Sequence, residues 1–312
     1  MAGSWWARYP DPQGPDVPES THMARIVVPE AEALLDQPIP VLDKGFVRLV
    51  DYLGGDARIV QAARVSYGEG TKTYRQDRGL IHYLLRNEHT SPFEQVVLTF
   101  HAKMPIFVAR QWVRHRTARL NEISGRYSVM KDEFYVPDPE QVRYQSASNK
   151  QGRSSEALPE EVVSSILDEW RGDQATIYRH YEGMLDQGVA RELARANLPL
   201  STYTEWYWQC DLHNLFHFLR LRMDPHAQYE IRAYGEALAQ CARAVAPIAY
   251  EAFEQHALHA VKFSQKECEA LAARLDGRPC PLEGRDLETF EAKLRAMRGT
   301  ENLAFETSVP EG

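Results

Sequence analysis

Residues 95–113 read QVVLTFHAKMPIFVARQWV, and this stretch predicts a strand that leads directly into a helix. Between Gln95 and Lys103 apolar residues stand at every second position, so the strand has one apolar and one mixed face. Pro105 suits the first turn of the helix, because proline lacks the N–H that would be unpaired there. The helix then has apolar residues at helical spacing, namely Ile106, Ala109 and Val113.

Outside this stretch the chain predicts few strands and several longer helices. Strands are predicted at Phe46 to Leu53 and at Thr202 to Cys210, where Trp206 and Trp208 share a face. Helices are predicted from Asp56 as N-cap to Val65, from Tyr74 to Arg86, from Pro159, from Arg191 to Ala196, after the cap Asp211, and from Ala227 with a bend at Pro247. Because strands and helices do not alternate as repeated units, the pattern favours an α+β fold over a doubly wound sheet.

Composition limits the class of protein. The 312 residues are 44% hydrophobic and 26% charged, which allows a sizeable core and excludes disorder throughout. We expect a cytoplasmic protein, since we find neither an apolar run of ~18 residues nor a secretory signal. The net charge of −8 disfavours non-specific coating of nucleic acid. Four scattered cysteines indicate neither a disulfide framework nor a Cys-rich zinc site.

The N-terminal segment differs from the rest in its proline content. Residues 1–41 hold seven of the 18 prolines. Proline fixes its backbone and lacks an N–H donor, so this segment is expected neither to pair nor to wind regularly. The prediction is a flexible, proline-rich extension over 1–41.

A basic segment interrupts this acidic chain. Residues 101–130 hold six lysines and arginines against the single acid Glu122, a local net charge of +5. Arg110 and Arg114 stand four residues apart on one helical face, where like charges repel by roughly a few tenths of a kcal/mol. The planar donor fork of arginine can grip a phosphate or carboxylate. On charge alone, a solvated basic face or a subunit contact stays an equal alternative.

The order of residues in this segment resembles the signature of the flavin-dependent thymidylate synthases. Residues 114–128 read RHRTARLNEISGRYS, in which Arg-His-Arg is followed after seven residues by Ser124. Other stretches similar to the family follow the family order: LDKGFVRLVDYLG (42–54), NEHTSPFEQ (87–95), FHAKMPIFVARQW (100–112), RELARANLPL (191–200) and LRLRMDPHAQYEIR (219–232). The resemblance predicts a catalytic domain over 42–255, and a C-terminal helical extension and tail over 256–312 outside it. Arg119 departs from the pattern, because many members have serine there.

The resemblance implies a fold, a reaction and an assembly. The fold is α+β, with a small, mostly antiparallel sheet and long helices. The reaction is the reductive methylation of dUMP to dTMP, with methylenetetrahydrofolate as carbon donor and FADH2, regenerated by NADPH, as hydride donor. Members are homotetramers with active sites shared between subunits, and neither nucleic acid nor a membrane is an expected partner.

Activation of the pyrimidine limits the catalytic candidates. Carbon C5 can be activated in two ways. A thiolate can attack C6, or a fixed cation beside N3 can stabilise the negative charge that develops there. None of the cysteines lies in the basic segment, although Cys280 in Arg-Pro-Cys-Pro superficially resembles a nucleophile loop. By the resemblance, Arg222 activates dUMP at N3. Its position alone indicates a helix-end arginine that binds carbonyl groups.

The resemblance also supplies the binding residues. Those for dUMP are Gln111, Trp112, Val113, Arg114, Glu122, Ile123, Ser124, Gly125, Arg126, Arg195 and Arg222. Those for FAD are His89, Ser91, Arg114, His115, Arg116, Glu122, Asp211, His213 and His217. Ser124, with Gly125 and Arg126, is interpreted as a phosphate or ribose grip, since an unactivated serine is a weak nucleophile. The alternative to ligand binding by Glu122 is a purely structural ion pair with Arg116 or Arg119.

Three other functions compete with this interpretation. His213 and His217 stand i, i+4 with His226 nearby, a spacing suited to zinc or iron, although no carboxylate or cysteine stands at ligand spacing and we expect no metal. An RNA-binding regulator would use the arginines with Tyr127 and Trp112 as stacking partners. A cysteine-dependent thymidylate synthase would make the same product without a flavin.

Overall fold

A computed structural model of the protein describes residues 25–65, 74–147 and 151–297. Within these ranges the strands are β1 Pro38–Val41, β2 Gly45–Leu53, β3 Val97–Pro105, β4 Arg119–Glu122, β5 Arg143–Gln145, β6 Arg153–Ala157 and β7 Tyr203–Asp211. The helices there are α1 Pro29–Glu32, α2 Asp56–Ala63, α3 Tyr74–Arg86, α4 Ile106–Trp112, α5 Glu160–Asp186, α6 Arg191–Ala194, α7 Leu212–Arg222, α8 Tyr229–Val245, α9 Pro247–Phe253, α10 Gln265–Leu275 and α11 Gly284–Met297.

The main sheet has five strands in the order β1-β2-β3-β7-β4, and every neighbouring pair is antiparallel. Strands β5 and β6 form a separate hairpin. The long central strands β3 and β7 are distant in sequence, so the sheet joins two parts of the chain that lie far apart in sequence. The predicted α+β fold with a small antiparallel sheet and long helices is confirmed.

Strand β3 has the two unlike faces that its sequence predicts. Leu98, Phe100 and Ala102 are completely buried, whereas His101 on the other face is partly exposed. Lys103 departs from the pattern, because it is only 8% exposed and its Nζ lies 2.8 Å from a carboxylate oxygen of Glu133. Helix α4 follows directly with Pro105 as its N-cap, so the strand-to-helix prediction is confirmed.

An aromatic core fixes the end of α4 against the sheet and α7. The Trp112 ring centroid lies 5.3 Å from those of Trp206 and Trp208 on β7, and 5.1 Å from that of Phe218 on α7. Aromatic pairs at these separations contribute about 0.5–1.5 kcal/mol each beyond their burial. The core thereby fixes the position of the chain that follows α4, which is the second half of the basic segment.

Two local predictions are wrong. Asp56 does not cap its own helix, whose N-cap is Gly55. Its carboxylate instead accepts the backbone N–H groups of Ile248 and Ala249, each at 2.9 Å, at the start of α9. The bend predicted at Pro247 is a break between α8 and α9, where the first turn of α9 needs such an acceptor.

The N-terminal segment is partly regular. Residues 38–41 form β1, which pairs with β2, and residues 29–32 form α1. The expectation that proline prevents pairing is therefore wrong there, because β1 lies at the sheet edge, where proline needs no ladder partner. Residues 1–24 lie outside the described residues.

Helices α10 and α11 form a small unit, here called the C-terminal unit. Ala270, Leu282, Phe290 and Leu294 make its core. Ser264 and Glu267 begin α10 with a reciprocal capping box. Among the helices of the described ranges, none combines the length and apolar character needed to cross a membrane.

Candidate active site

The chain that leaves α4 and one face of α7 enclose a polar pocket. This space, here called the Arg222 pocket, has a volume of about 430 Å³. It is lined by Arg114, His115, Arg116, Thr117, Trp208, His213, Asn214, His217, Leu221 and Arg222. Buried Leu215, Phe218 and Leu219 hold the opposite face of α7 in the core, so its histidines face the pocket.

The Arg222 pocket is strongly cationic. Arg114, Arg116 and Arg222 contribute three guanidinium groups, and none of the described lining residues is acidic. Burial, and then the charge of Arg114, lower the pKa of Arg222. A pocket of this charge is suited to a phosphate or another anion.

Arg222 is held by two hydrogen bonds. Its Nε donates to Nε2 of His115 at 3.1 Å, and its Nη2 donates to the backbone carbonyl of Gln111 at 3.3 Å. Burial, followed by Arg222 and His217, lowers the pKa of His115 to about 4. Arg222 does bind a carbonyl group, as the alternative for a helix-end arginine predicts, but that carbonyl belongs to α4 rather than to its own helix.

A second cluster of predicted residues lies at the end of β4. This space, here called the Gly125 cleft, has a volume of about 400 Å³ and is lined by Ile106, Glu122, Ile123, Gly125, Met130, Glu192, Arg195, Ala196, Leu198, Thr202 and Thr204. A Cβ on Gly125 would lie 2.9 Å from both Cδ of Arg195 and Sδ of Met130, so only glycine allows Arg195 to approach so closely.

Polar contacts orient the residues around the Gly125 cleft. Oγ of Ser124 accepts the backbone N–H of Arg126 at 3.3 Å, and Nε of Arg126 lies 3.2 Å from a carboxylate oxygen of Glu192. Glu122 accepts from Oγ1 of Thr204 at 2.6 Å, so the alternative of a structural arginine pair is not what the geometry shows.

Other predicted residues stand apart from both spaces. The Trp112 side chain is fully buried in the core, so its predicted contact with dUMP is wrong for the side chain. Gln111 donates from Nε2 to Gln228 at 2.6 Å, and Val113 is exposed. The side chain of Asp211 forms the N-cap of α7, where its carboxylate accepts hydrogen bonds from the backbone and side-chain N–H groups of Asn214. His89 and Ser91 lie exposed in the turn after α3, and neither lines the two spaces.

The sequence interpretation missed several lining residues. Thr117, Trp208, Asn214 and Leu221 complete the Arg222 pocket. Asn214 and Leu221 could have been found, because they lie on the same helix as His213 and His217 and close to them in helical phase. Arg119, where the chain departs from the family pattern, lies in another surface cleft beside Arg25 and Gln209.

Thiol and metal chemistry have little support in this region. Burial raises the pKa of Cys210 well above its usual value and that of Cys241 to about 12, which disfavours a thiolate at either position. Cys280 lies in the C-terminal unit, beside the small core of α10 and α11. His213 and His217 do share a pocket, but the described residues contain no group of three or more His, Cys, Asp or Glu placed to hold a metal ion.

Comparisons with known proteins identify the family. A family model described as "Thymidylate synthase complementing protein" matches residues 48–248. The flavin-dependent thymidylate synthase of Treponema denticola is 60% identical over 264 residues, which cover 85% of this chain and 99% of that protein. That of Rickettsia bellii is 51% identical over 265 residues, covering 81% of this chain and 90% of that protein. The chain belongs to the flavin-dependent thymidylate synthase family, as the sequence resemblance predicted.

The fold and the C-terminal unit have relatives as well. A solved structure described as a UMP/dUMP methylase PolB from Streptomyces cacaoi, bound with 5-Br dUMP, is similar with a TM-score of 0.65 and 33% identity, over 70% of this chain and 99% of that chain. A second family model, "Thymidylate synthase ThyX C-terminal domain", matches residues 261–299. The expectation that residues 256–312 lie outside the family resemblance is therefore wrong for most of that segment.

Proposed function

We propose that this protein converts dUMP to dTMP by reductive methylation, with Arg222 as the residue that activates the base. The observation that carries the proposal is the Arg222 pocket, where three arginines face one space with no acid among the described lining residues. Arg222 is partly buried, whereas Arg114 and Arg116 are exposed. Like charges that face one space repel each other, so an anionic ligand would be stabilised there. Membership of the family makes a uracil nucleotide the fitting one.

Arg222 acts by electrostatic stabilisation. Its guanidinium stays protonated at any working pH and lies at the pocket wall, so it can face N3 and O4 of the uracil ring. Negative charge that develops there raises the electron density at C5, where the new carbon–carbon bond forms. The cation stabilises this charge without prior attack by a sulfur nucleophile.

A flavin cofactor fits the donor set of the Arg222 pocket. Arg114 and Arg116 offer donor forks for a pyrophosphate, and His213, Asn214 and His217 add polar side chains beside the Trp208 ring. The bound flavin, proposed as FAD, supplies the hydride for the reaction. We further propose that NADPH reduces it and that methylenetetrahydrofolate supplies the carbon. At about 430 Å³ the pocket holds only part of a dinucleotide.

A homotetramer with shared sites accounts for the distribution of the predicted residues. The two groups of residues lie in separate spaces, the Arg222 pocket and the Gly125 cleft. We propose that Ser124, Gly125, Arg126 and Arg195 of one subunit grip the nucleotide phosphate beside another subunit's Arg222 pocket. His89 and Ser91, exposed in their turn, would contact the flavin of a neighbouring subunit in the same way.

The decisive experiment combines a spectrum with a turnover assay. The purified protein, reconstituted with FAD, should show flavin absorbance that bleaches with NADPH. It should then form dTMP from dUMP and methylenetetrahydrofolate. A colourless protein that cannot be reconstituted, yet still makes dTMP, would overturn the proposal.

A cysteine variant tests the rival chemistry directly. Cys280→Ser should leave dTMP formation near the wild-type rate, because activation of C5 needs no thiolate here. Loss of turnover in Cys280→Ser, with flavin content unchanged, would favour the cysteine-dependent mechanism. Metal analysis of the same preparation should find no stoichiometric zinc or iron.

A further inference from the structure

We propose that His115 is a positioning residue, whose neutral imidazole accepts a hydrogen bond from Arg222 and thereby aims its guanidinium at the nucleotide. This inference rests on the proposed function. It differs from the expected role of His115 as a flavin contact, because it assigns the ring to the activating arginine.

The hydrogen bonds leave one end of the guanidinium free for a ligand. Arg222 has five N–H donors in a fixed plane, of which Nε–H goes to His115 and one Nη2–H goes to the carbonyl of Gln111. Within the described residues, no hydrogen bond takes the other three N–H groups, which are on Nη1 and Nη2. A planar fork held along one edge cannot rotate, so these groups keep one direction.

The contact also decides the tautomer of His115. An arginine can only donate, so Nε2 of His115 must be the unprotonated acceptor, and the ring proton must lie on Nδ1. A doubly protonated ring would turn this attraction into repulsion between two cations. The hydrogen bond therefore exists only while the ring is neutral.

The surroundings of His115 keep the ring neutral and in place. Its charged or titratable neighbours in the pocket are Arg222, His217, Arg114, Arg116 and His213, and none of these is an acid. Its ring centroid lies 4.7 Å from that of Phe218, at an interplanar angle of 63°. The lowered pKa, about 4, agrees with this environment. The same contacts make a cationic role for His115 toward the flavin phosphates unfavourable.

The pair His115→Gln and His115→Phe tests the inference. The glutamine carbonyl can accept where Nε2 accepts, whereas phenylalanine keeps a ring against Phe218 but offers no acceptor. We expect His115→Phe to lower kcat by about 10²-fold, as misplacement of a catalytic group does, with flavin content unchanged. His115→Gln should recover at least ten-fold of that loss.

Three results would overturn the inference. They are wild-type kcat in His115→Phe, equal losses in both variants, or a loss that follows reduced flavin content, which would make His115 a cofactor ligand. If the wild type itself forms no dTMP, the proposed function fails instead, so the two failures are distinguishable.

A measurement on the unmodified protein covers the case in which the phenylalanine variant does not fold. Nuclear magnetic resonance of ¹⁵N-histidine-labelled protein should show His115 as the neutral Nδ1–H tautomer from pH 5.5 to 8. An Nε2–H tautomer, or a protonated ring in that range, would contradict the inference.

Discussion

Two charged clusters of this protein, the Arg222 pocket and the residues around Glu230, differ in how their charge is compensated. In the Arg222 pocket three guanidinium groups face one space with no acid among the described lining residues. Around Glu230, in contrast, a completely buried carboxylate accepts from Arg153, from the hydroxyl of Tyr135 at 2.9 Å and from Gln228 at 2.8 Å. Here the buried charge is matched within the chain.

We expect charge balance to indicate the functional site better than cavity size does. Glu230 and Arg153 line a cavity of about 870 Å³, twice the size of the Arg222 pocket, yet none of the predicted site residues lines it. A compensated pair needs no ligand, whereas unpaired cations are stabilised when an anion binds. We therefore expect the Arg222 pocket, rather than the larger cavity, to bind an anionic ligand.

The clusters are joined at one residue. The side chain of Gln111 donates to Gln228, which donates to Glu230, while the backbone carbonyl of Gln111 accepts from Arg222. The compensated cluster thus supports one of the two contacts that hold the uncompensated arginine.

Removing the unpaired cation should have the largest effect. Arg222→Ala should lower kcat by about 10²- to 10³-fold, the usual cost of losing a group that stabilises developing charge. Steady-state dTMP formation and flavin absorbance would measure it. Arg220→Ala, on the same helix but outside the pocket lining, is the matched control and should retain most of the activity. Equal losses in both variants would erase the distinction between the clusters.

Breaking the matched pair should affect stability instead. Glu230→Gln leaves Arg153 facing a neutral amide, and we expect a loss of about 2–3 kcal/mol in the free energy of unfolding. We expect a smaller loss than for a fully buried ion pair, because the Arg153 side chain is one-third exposed to solvent. Urea unfolding would measure it. The double variant Arg153→Met with Glu230→Gln should recover part of the loss, and a further additive loss would show that charge matching is not the cause.

Asp56 tests a partly buried charge that is held by backbone groups rather than by a cation. Burial raises its pKa from 3.8 to about 6, against the opposing effect of the N–H groups of Ile248 and Ala249. Because the folded state binds the proton more tightly, its stabilising contribution is complete below pH 4 and is lost as pH rises through about 6. The wild type should lose up to about 3 kcal/mol across this window relative to Asp56→Asn. Urea unfolding of both proteins at pH 4 and pH 7 would measure this loss. The same difference in the free energy of unfolding between the two proteins at both pH values would contradict the prediction.

An exposed ion pair should give the smallest effect. Arg274 and Glu291 lie 2.6 Å apart in the C-terminal unit, with about 43% and 31% of their side chains exposed. Glu291→Gln should leave the free energy of unfolding nearly unchanged, since solvent screens such pairs. A loss as large as that of Glu230→Gln would show that burial does not determine how much an ion pair contributes to the free energy of unfolding.

Much of the fold could be predicted because the deciding patterns are local. The alternation in β3 and the cap at Asp211 each act within a few residues, and both are confirmed. Pro105 stands one position earlier than predicted, as the N-cap of α4 rather than in its first turn. Asp56 was assigned wrongly because its partners lie some 190 residues away, at the start of α9. A capping side chain looks the same in sequence whichever helix it caps.

The sequence by itself determined the family and the basic segment, because the order and type of their residues can be read along the chain. Only the tertiary structure decided that the Trp112 side chain lies in the core, that some predicted site residues line two separate spaces while others line neither, and that His115 accepts a hydrogen bond from Arg222. The physical reason is that burial and hydrogen-bond partners depend on contacts between α4, α7 and β7, which are distant in sequence and are brought together by the packing of the sheet.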